Sequence, residues 1–597
     1  MKTFLKSVLA CAIGTVFGFA LLVFFGMIFL IATASLSSSK MGEASIKDNS
    51  ILFLPLQGQV VERKGTSFID WEEDSPFFSG PRHIGLFELL ESLRKAKTDE
   101  KIRGIYIKLG GLRCGWASAE AIHRALLDFK SSGKYIQAYG EYFDEKSYLI
   151  ASAADKIFIY PEGAFEFNGI AAVPLFAKGT LEKLGIQTQI FRVGEFKSAV
   201  EMFTQEKMSP ENRQQTRELV NDLWNHFVQI IAERRQIEPQ VLNDLASDLD
   251  VLRAHQALEH KLADEPASEE QVLELLRTLS GTEKDKKLPL VSFSRYYRST
   301  SQGFALGKPN RIAVIFASGE IISGRSSDDY VGSEDLLTAM RQISRDKEIK
   351  GLVIRVNSPG GSALASDVIW RQTLEIKKTK PVIASFGDIA ASGGYYLAAG
   401  ADHIFAEANT LTGSIGVFGV YFTTQDFFDK KLGVTFDRVL THPYADVGDG
   451  SRPMTTFERK RIQSQVEQTY QQFLRVVKQG RNYQSEEEVD NVARGRVWSG
   501  LQALQQGLVD DQGGLSEALK KAAEVANLGD SWDVEVFPRE KSPFEQLMMA
   551  FGDMAWVQNL LQSEHPFQDI VDLWNRMRVW QKGGGVLALN PDQIEIR

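Results

Sequence analysis

The chain has 597 residues, 43% of them hydrophobic and 24% charged, with a formal net charge of −9 and two cysteines. That length exceeds what one core organises, and the composition is too apolar for a disordered chain. The acidic balance argues against a nucleic-acid partner, and two cysteines exclude a four-cysteine zinc site.

No charged residue lies between Ser7 and Ser39, and Val8 to Leu36 is almost wholly apolar. A membrane span needs about 20 such residues, whereas a cleaved signal peptide has an apolar region of about 7–15. Residues 1–40 are therefore expected to be an uncleaved anchor. Lys2 and Lys6 precede it, which places the N-terminus in the cytoplasm and the rest of the chain outside. Cys11 falls in this run and Cys114 beyond it, so no intrachain disulfide is expected.

The remainder repeats itself. Residues 99–108 read DEKIRGIYIK and residues 346–355 read DKEIKGLVIR, an offset of 247 (346 − 99). At that offset SYLIASAADKIF (147–158) matches GYYLAAGADHIF (394–405), and upstream ILFLPLQGQVVE (51–62) resembles RIAVIFASGEII (311–322). Lys183-Leu184-Gly185-Ile186 matches Lys431-Leu432-Gly433-Val434 one residue out of step. The pattern divides the chain into a first repeat over 41–300, a second over 301–540 and an extension over 541–597. Segment 291–310 has the Ser, Gly and Pro of a linker.

Within the second repeat, Ile312–Phe316 and Gly351–Val356 read as strands, with Ser333 as the cap of a helix over Glu334–Ser344. Leu364–Lys377 reads as helix. Pro381–Ser385 reads as a short strand ended by Gly387 and Asp388, with helix again over Tyr395–Ala399. Long helices are expected over Asn212–Arg234 and Thr456–Arg481. Continuous apolar strands between helices indicate a parallel sheet covered on both faces, an α/β class.

Ser392 then stands at a strand-to-helix turn before Gly393 and Gly394, among backbone N–H groups that lack intrahelical partners. Such a turn exposes a hydroxyl and stabilises an oxyanion. The two repeats disagree here in a complementary way. Ser392 faces Glu145, and the loop Asn357-Ser358-Pro359-Gly360-Gly361-Ser362 faces a segment without Pro-Gly-Gly. In return Lys197, in GEFKSAVEMFT, faces Ala445 in the second repeat. Serine needs a base to become nucleophilic, and a lysine serves if burial brings its pKa from about 10.4 towards about 7–8. Phe196, Ala199 and Val200 flank Lys197 and supply an apolar setting.

NSPGGS (357–362), ASGGYY (391–396), LTGSIGVFG (411–419) and FKSAVE (196–201) together resemble the signal peptide peptidase A (protease IV) family in its long, duplicated form. The resemblance runs from the anchor to about residue 540. It implies two tandem Clp protease/crotonase-like repeats, with Ser392 as nucleophile and Lys197 as general base. Gly393 and Gly361 become oxyanion donors, and no metal or cofactor is called for. It further implies a bowl-shaped homotetramer in the bacterial inner membrane, with a periplasmic catalytic part that degrades signal peptides and other short apolar peptides. The same family favours a dyad completed within one chain.

Two features depart from the family pattern. Met202 stands where proline is expected, and the extension from 541 is not covered by these motifs. Its Trp556, Phe567, Ile570, Val571, Trp574 and Trp580 suit packing on the core or a neighbouring subunit, or a place at the membrane interface. Among alternatives, a Ser-His-Asp triad would need His403 or His442, neither with a recognisable partner pattern. A silent membrane scaffold and an acyl-CoA hydratase-like enzyme are the competing functions, the latter by fold analogy alone.

Overall fold

A computed structural model describes residues 46–64, 83–301, 310–327, 329–529, 531–538 and 587–589, and Gly18 alone from the N-terminal run. The expected anchor and nearly all of the expected extension therefore lie outside the described residues. Among the described residues, no helix is long and apolar enough to cross a membrane.

The duplication seen in the sequence is built as two sheets with one strand order. In the first repeat Ser50–Val61, Ile102–Arg113, Tyr135–Phe143 and Lys156–Phe165 lie side by side, all parallel. In the second, Arg311–Ser318, Ile349–Ser358, Val382–Ala391 and His403–Ala406 follow the same order, again parallel. Their residues are buried from both faces, as Ile312 to Ile315 and Leu352 to Ile354 are, which is why these strands read as unbroken apolar runs.

A third sheet joins the repeats. Its order is Tyr330–Gly332, Glu320–Ile322, Gly360–Ser362, Leu587–Leu589, Val417–Thr423 and Gln187–Val193. The last strand comes from the first repeat and pairs antiparallel along seven residues with Val417–Thr423 of the second. Buried polar bridges hold the repeats together elsewhere. Arg355 donates to Glu62, Ser118 donates to Asp388, and Arg124 donates to both oxygens of Glu407.

Several local expectations shift. The serine strand does not stop at Gly387; it runs from Val382 to Ala391, accommodating the glycine at a register shift against Ile349–Ser358. Ser333 is the first helical residue, Gly332 being the cap, because the strand Tyr330–Gly332 runs straight into the helix. Segment 291–310 is only partly a linker. Leu290–Ser292 adds a strand beside Ser50–Val61, and the helix Phe293–Ser301 follows, its Tyr296 buried against the first repeat's core.

Candidate active site

The sheet register brings two serines out together. Ala391 lies opposite Gly413 in parallel strands, so Ser392 and Ser414 leave adjacent strands at their carboxyl ends. That is where open α/β sheets present ligands. Both serines have positive φ, 54° and 47°, a conformation that costs a side-chain-bearing residue about 1–3 kcal/mol. At Ser392 the turn is fixed from both sides: its N–H donates to Gly413 O at 2.8 Å and its carbonyl accepts from Tyr396 N–H at 2.8 Å.

Lys197 reaches this point from the other repeat. The strand Gln187–Val193 ends opposite Val417, three residues after Ser414, and Gly194 at φ 98° turns the chain into the site. Phe196 N–H donates to Arg494 O at 3.1 Å, and Gly495 N–H donates to Ile415 O at 2.8 Å, which wedges the 494–495 turn between the lysine segment and the serine loop. Gly495 has φ 80°, and a Cβ there would fall 2.5 Å from Lys197 N. Met202, placed in the short helix Glu201–Thr204, keeps the turn closed through its carbonyl, which accepts from Ala177 N–H.

The outcome is a buried cluster within one chain. Lys197 Nζ donates to Ser392 Oγ at 2.9 Å, to Ser414 Oγ at 2.9 Å and to Ser414 O at 3.0 Å. Lys197 and Ser392 are both 0% exposed. Ala199, Val200 and Phe418 are buried around the lysine, whose Nζ lies 6.0 Å from the Phe418 ring centre. Ser414 is the residue the sequence reading passed over. It lies inside the quoted LTGSIGVFG motif, and only the strand pairing shows that it adjoins Ser392.

The two glycines singled out as oxyanion donors occupy suitable backbone. Gly393 is the first residue of the helix Gly393–Ala398, so its N–H has no intrahelical partner. Gly361 has φ 152° in the strand Gly360–Ser362, which packs on that helix. A Cβ on Gly394 would lie 2.7 Å from Ser358 O, so the helix start fits the Gly-rich loop only without side chains. Leu587–Leu589 runs antiparallel to Gly360–Ser362 on one side and touches Val417–Thr423 at Phe418 on the other. Between those two strands there is thus a slot one extended chain wide.

The remaining candidates stand apart. His403 pairs with Asp511 at 2.9 Å, and exposed His442 with Thr441, so neither serves Ser392. In the first repeat, Glu145 at the serine position accepts from Asn168 N–H and Gly169 N–H, and burial holds its carboxyl above the ordinary value. Ala445, at the lysine position, lies in an exposed turn. Among the described residues, no group of three or more His, Cys, Asp or Glu is placed to hold a metal.

Comparison with known proteins agrees with this duplicated arrangement. The profile of peptidase family S49 matches twice, over residues 128–283 and 375–529. The chain belongs to peptidase family S49. It is 33% identical to Protease 4 of Haemophilus influenzae over 87% of this chain and 86% of that one. Protease 4 of Salmonella typhi is 34% identical over 83% and 81%. The chloroplastic serine protease SPPA of Arabidopsis thaliana is 33% identical over 81% and 70%. A ClpP1 mutant from Listeria monocytogenes aligns at TM-score 0.23 and 16% identity, covering 35% of this chain and 94% of that one. The two S49 matches share the 247-residue offset at their starts (375 − 128), so each repeat is one S49 unit.

Proposed function

We propose that this S49 peptidase is a serine endopeptidase in which Ser392 is the nucleophile and Lys197 the general base. The observation that carries the proposal is the 2.9 Å contact between Lys197 Nζ and Ser392 Oγ at a fully buried, positive-φ turn. Burial disfavours the ammonium form of a lysine, which leaves a neutral amine able to take the serine proton.

In the proposed reaction, Ser392 Oγ attacks the scissile carbonyl carbon while its proton passes to Lys197 Nζ. Gly393 N–H and Gly361 N–H stabilise the carbonyl oxygen as it becomes an oxyanion. The C–N bond breaks as the Lys197 ammonium returns the proton to the leaving amine, and an acyl-enzyme on Ser392 remains. Water then attacks the ester, giving its proton to Lys197, and Ser392 Oγ departs with that proton.

Substrate lies in the slot between Gly360–Ser362 and Val417–Thr423, as an extended strand bonded through its backbone. Leu587–Leu589 supports this reading by holding that position with an apolar sequence. Short apolar peptides, such as cleaved signal peptides, fit such a slot. We place the protein in the bacterial inner membrane, anchored by residues 1–40 with the site on the periplasmic side, as a homotetramer.

A fluorophosphonate probe should label wild-type protein at Ser392 and leave Ser392→Ala unlabelled. Lys197→Met, close in volume and uncharged, should fold and lower kcat/KM on a short peptide at least about 1,000-fold. Substantial turnover by either variant would sink the dyad.

A further inference from the structure

We propose that the chain joins head to tail with a second copy of itself, residues 170–176 of one copy pairing antiparallel with residues 435–441 of the next. This rests on the homo-oligomer in the proposed function and names its contact.

The duplication supplies the argument. Inside one chain, Gln187–Val193 of the first repeat pairs with Val417–Thr423 of the second, from Val193 opposite Val417 to Gln187 opposite Thr423. Each partner has a counterpart in the other repeat. Val417–Thr423 corresponds to 170–176 at the offset of 247 (417 − 170), with Gly416 matching Gly169 and Val417 matching Ile170. Gln187–Val193 corresponds to 435–441 at the later offset of 248 (435 − 187), continuing the Lys183 and Lys431 match. Within the chain these counterparts do not meet, and neither is a strand of the three sheets.

Both counterparts are apolar and open to solvent. Val173 is 78% exposed and Leu175 66%; on the other segment Phe436 is 44% exposed and Val439 99%. Along 171–176 exposure alternates, with Ala171, Val173 and Leu175 open and the residues between them partly covered. That is the period of a strand with one uncovered side. Residues 170–176 carry no charge to blunt the edge, although solvated edges ordinarily have one.

The occupant must be a second copy because the missing partner of each segment is the other segment. The two surfaces differ, so the contact is heterologous and repeats from copy to copy until a ring closes. Transposing the internal register sets Ala172 opposite Val439 and Phe176 opposite Thr435. Such a junction is silent, since Glu145 and Ala445 stand where the dyad would be. The ring therefore alternates silent junctions between chains with Lys197–Ser392 sites inside them.

Disulfide trapping in the detergent-solubilised full chain tests this. Paired residues in antiparallel strands have Cα atoms about 4.5–5.5 Å apart, within reach of a disulfide. Ala172→Cys with Val439→Cys should form a covalent ladder under mild oxidation, reversed by reductant, and neither single variant should. Mixing the two single variants should stop at dimers. Val439→Asp, on a fully exposed side chain, should keep the monomer's Tm and shift sedimentation to smaller species. A double variant without a ladder, together with a Val439→Asp protein of wild-type size, would overturn the interface and leave the oligomer standing. Wild-type protein sedimenting as a monomer would overturn both.

Discussion

Ser414 Oγ and Lys197 Nζ lie 2.9 Å apart, the same separation as Lys197 from Ser392, and the Ser414 carbonyl adds a third contact at 3.0 Å. An amine held at three points has its lone pair aimed by two of them when the third is the reacting hydroxyl. Ser414→Ala removes the hydroxyl and keeps the carbonyl. It should lower kcat about 10- to 100-fold with little change in KM, because proton transfer depends on geometry more than on substrate contact. Steady-state kinetics on a short peptide decide this, and a wild-type kcat would make Ser414 a spectator.

Gln215 holds the lysine from farther away. It is 1% exposed; its Nε2 donates to Phe196 O at 3.1 Å and Ser198 Oγ at 2.9 Å, on either side of Lys197. Its Oε1 accepts from Val497 N–H at 3.3 Å, and Val497 pairs with Gly413, whose carbonyl holds Ser392 N–H. Two turns along the same helix, Asp222 accepts from Ser499 Oγ at 2.6 Å without touching the lysine segment. Gln215→Ala and Asp222→Ala should both lower Tm. Only Gln215→Ala should also lower kcat, about 10-fold or more, and slow fluorophosphonate labelling. An equal fall in both variants would reduce Gln215 to glue between the repeats.

The duplication, the parallel α/β class and the residues of the dyad were legible in the sequence because each rests on local pattern. Apolar runs such as 352–356 mark a strand buried on both faces, and complementary losses at positions 145 and 445 mark which repeat retains which group. Ser414 was not legible in the same way. Its role depends on Ala391 standing opposite Gly413, a register between strands 22 residues apart (413 − 391) that no local pattern encodes. Nor was the extent of the serine strand, since Gly387 reads as a breaker until its neighbour strand absorbs it at a bulge. The strand Leu290–Ser292 hid inside linker-like composition for a related reason: three residues are too few for periodicity to show.

A cluster between the repeats makes stability depend on pH. Burial pushes the Glu407 carboxyl up to about 7; Arg124 pulls against this and the like charge of Glu120 adds to it. Burial also opposes protonation of His226, but its bond to Glu120 outweighs that and holds the imidazole above its ordinary value of 6.5. Both groups bind protons more tightly in the folded chain than in the unfolded one. Their contribution to stability is therefore full at low pH and declines as pH rises, from the ordinary carboxyl value through about 7 for Glu407. Tm measured from pH 5 to pH 8 should fall more steeply in wild type than in Glu407→Gln, and parallel curves would remove Glu407 from the account.

The last expectation concerns the strand Leu587–Leu589. It pairs with Gly360, Gly361 and Ser362 in the slot assigned to substrate, so a peptide that binds there must displace it. A tethered segment competes at an effective concentration of about millimolar for a short flexible link, falling as the link lengthens. A chain ending at Gly585 lacks the competitor and keeps Lys197, Ser392 and Ser414. Its KM for a short apolar peptide should drop several-fold with kcat unchanged, since the tail opposes binding and takes no part in proton transfer. A synthetic peptide of sequence VLALN, residues 586–590, should restore the higher apparent KM competitively when added back. An unchanged KM in the shortened chain would mean that substrate does not use the slot between Gly360–Ser362 and Val417–Thr423.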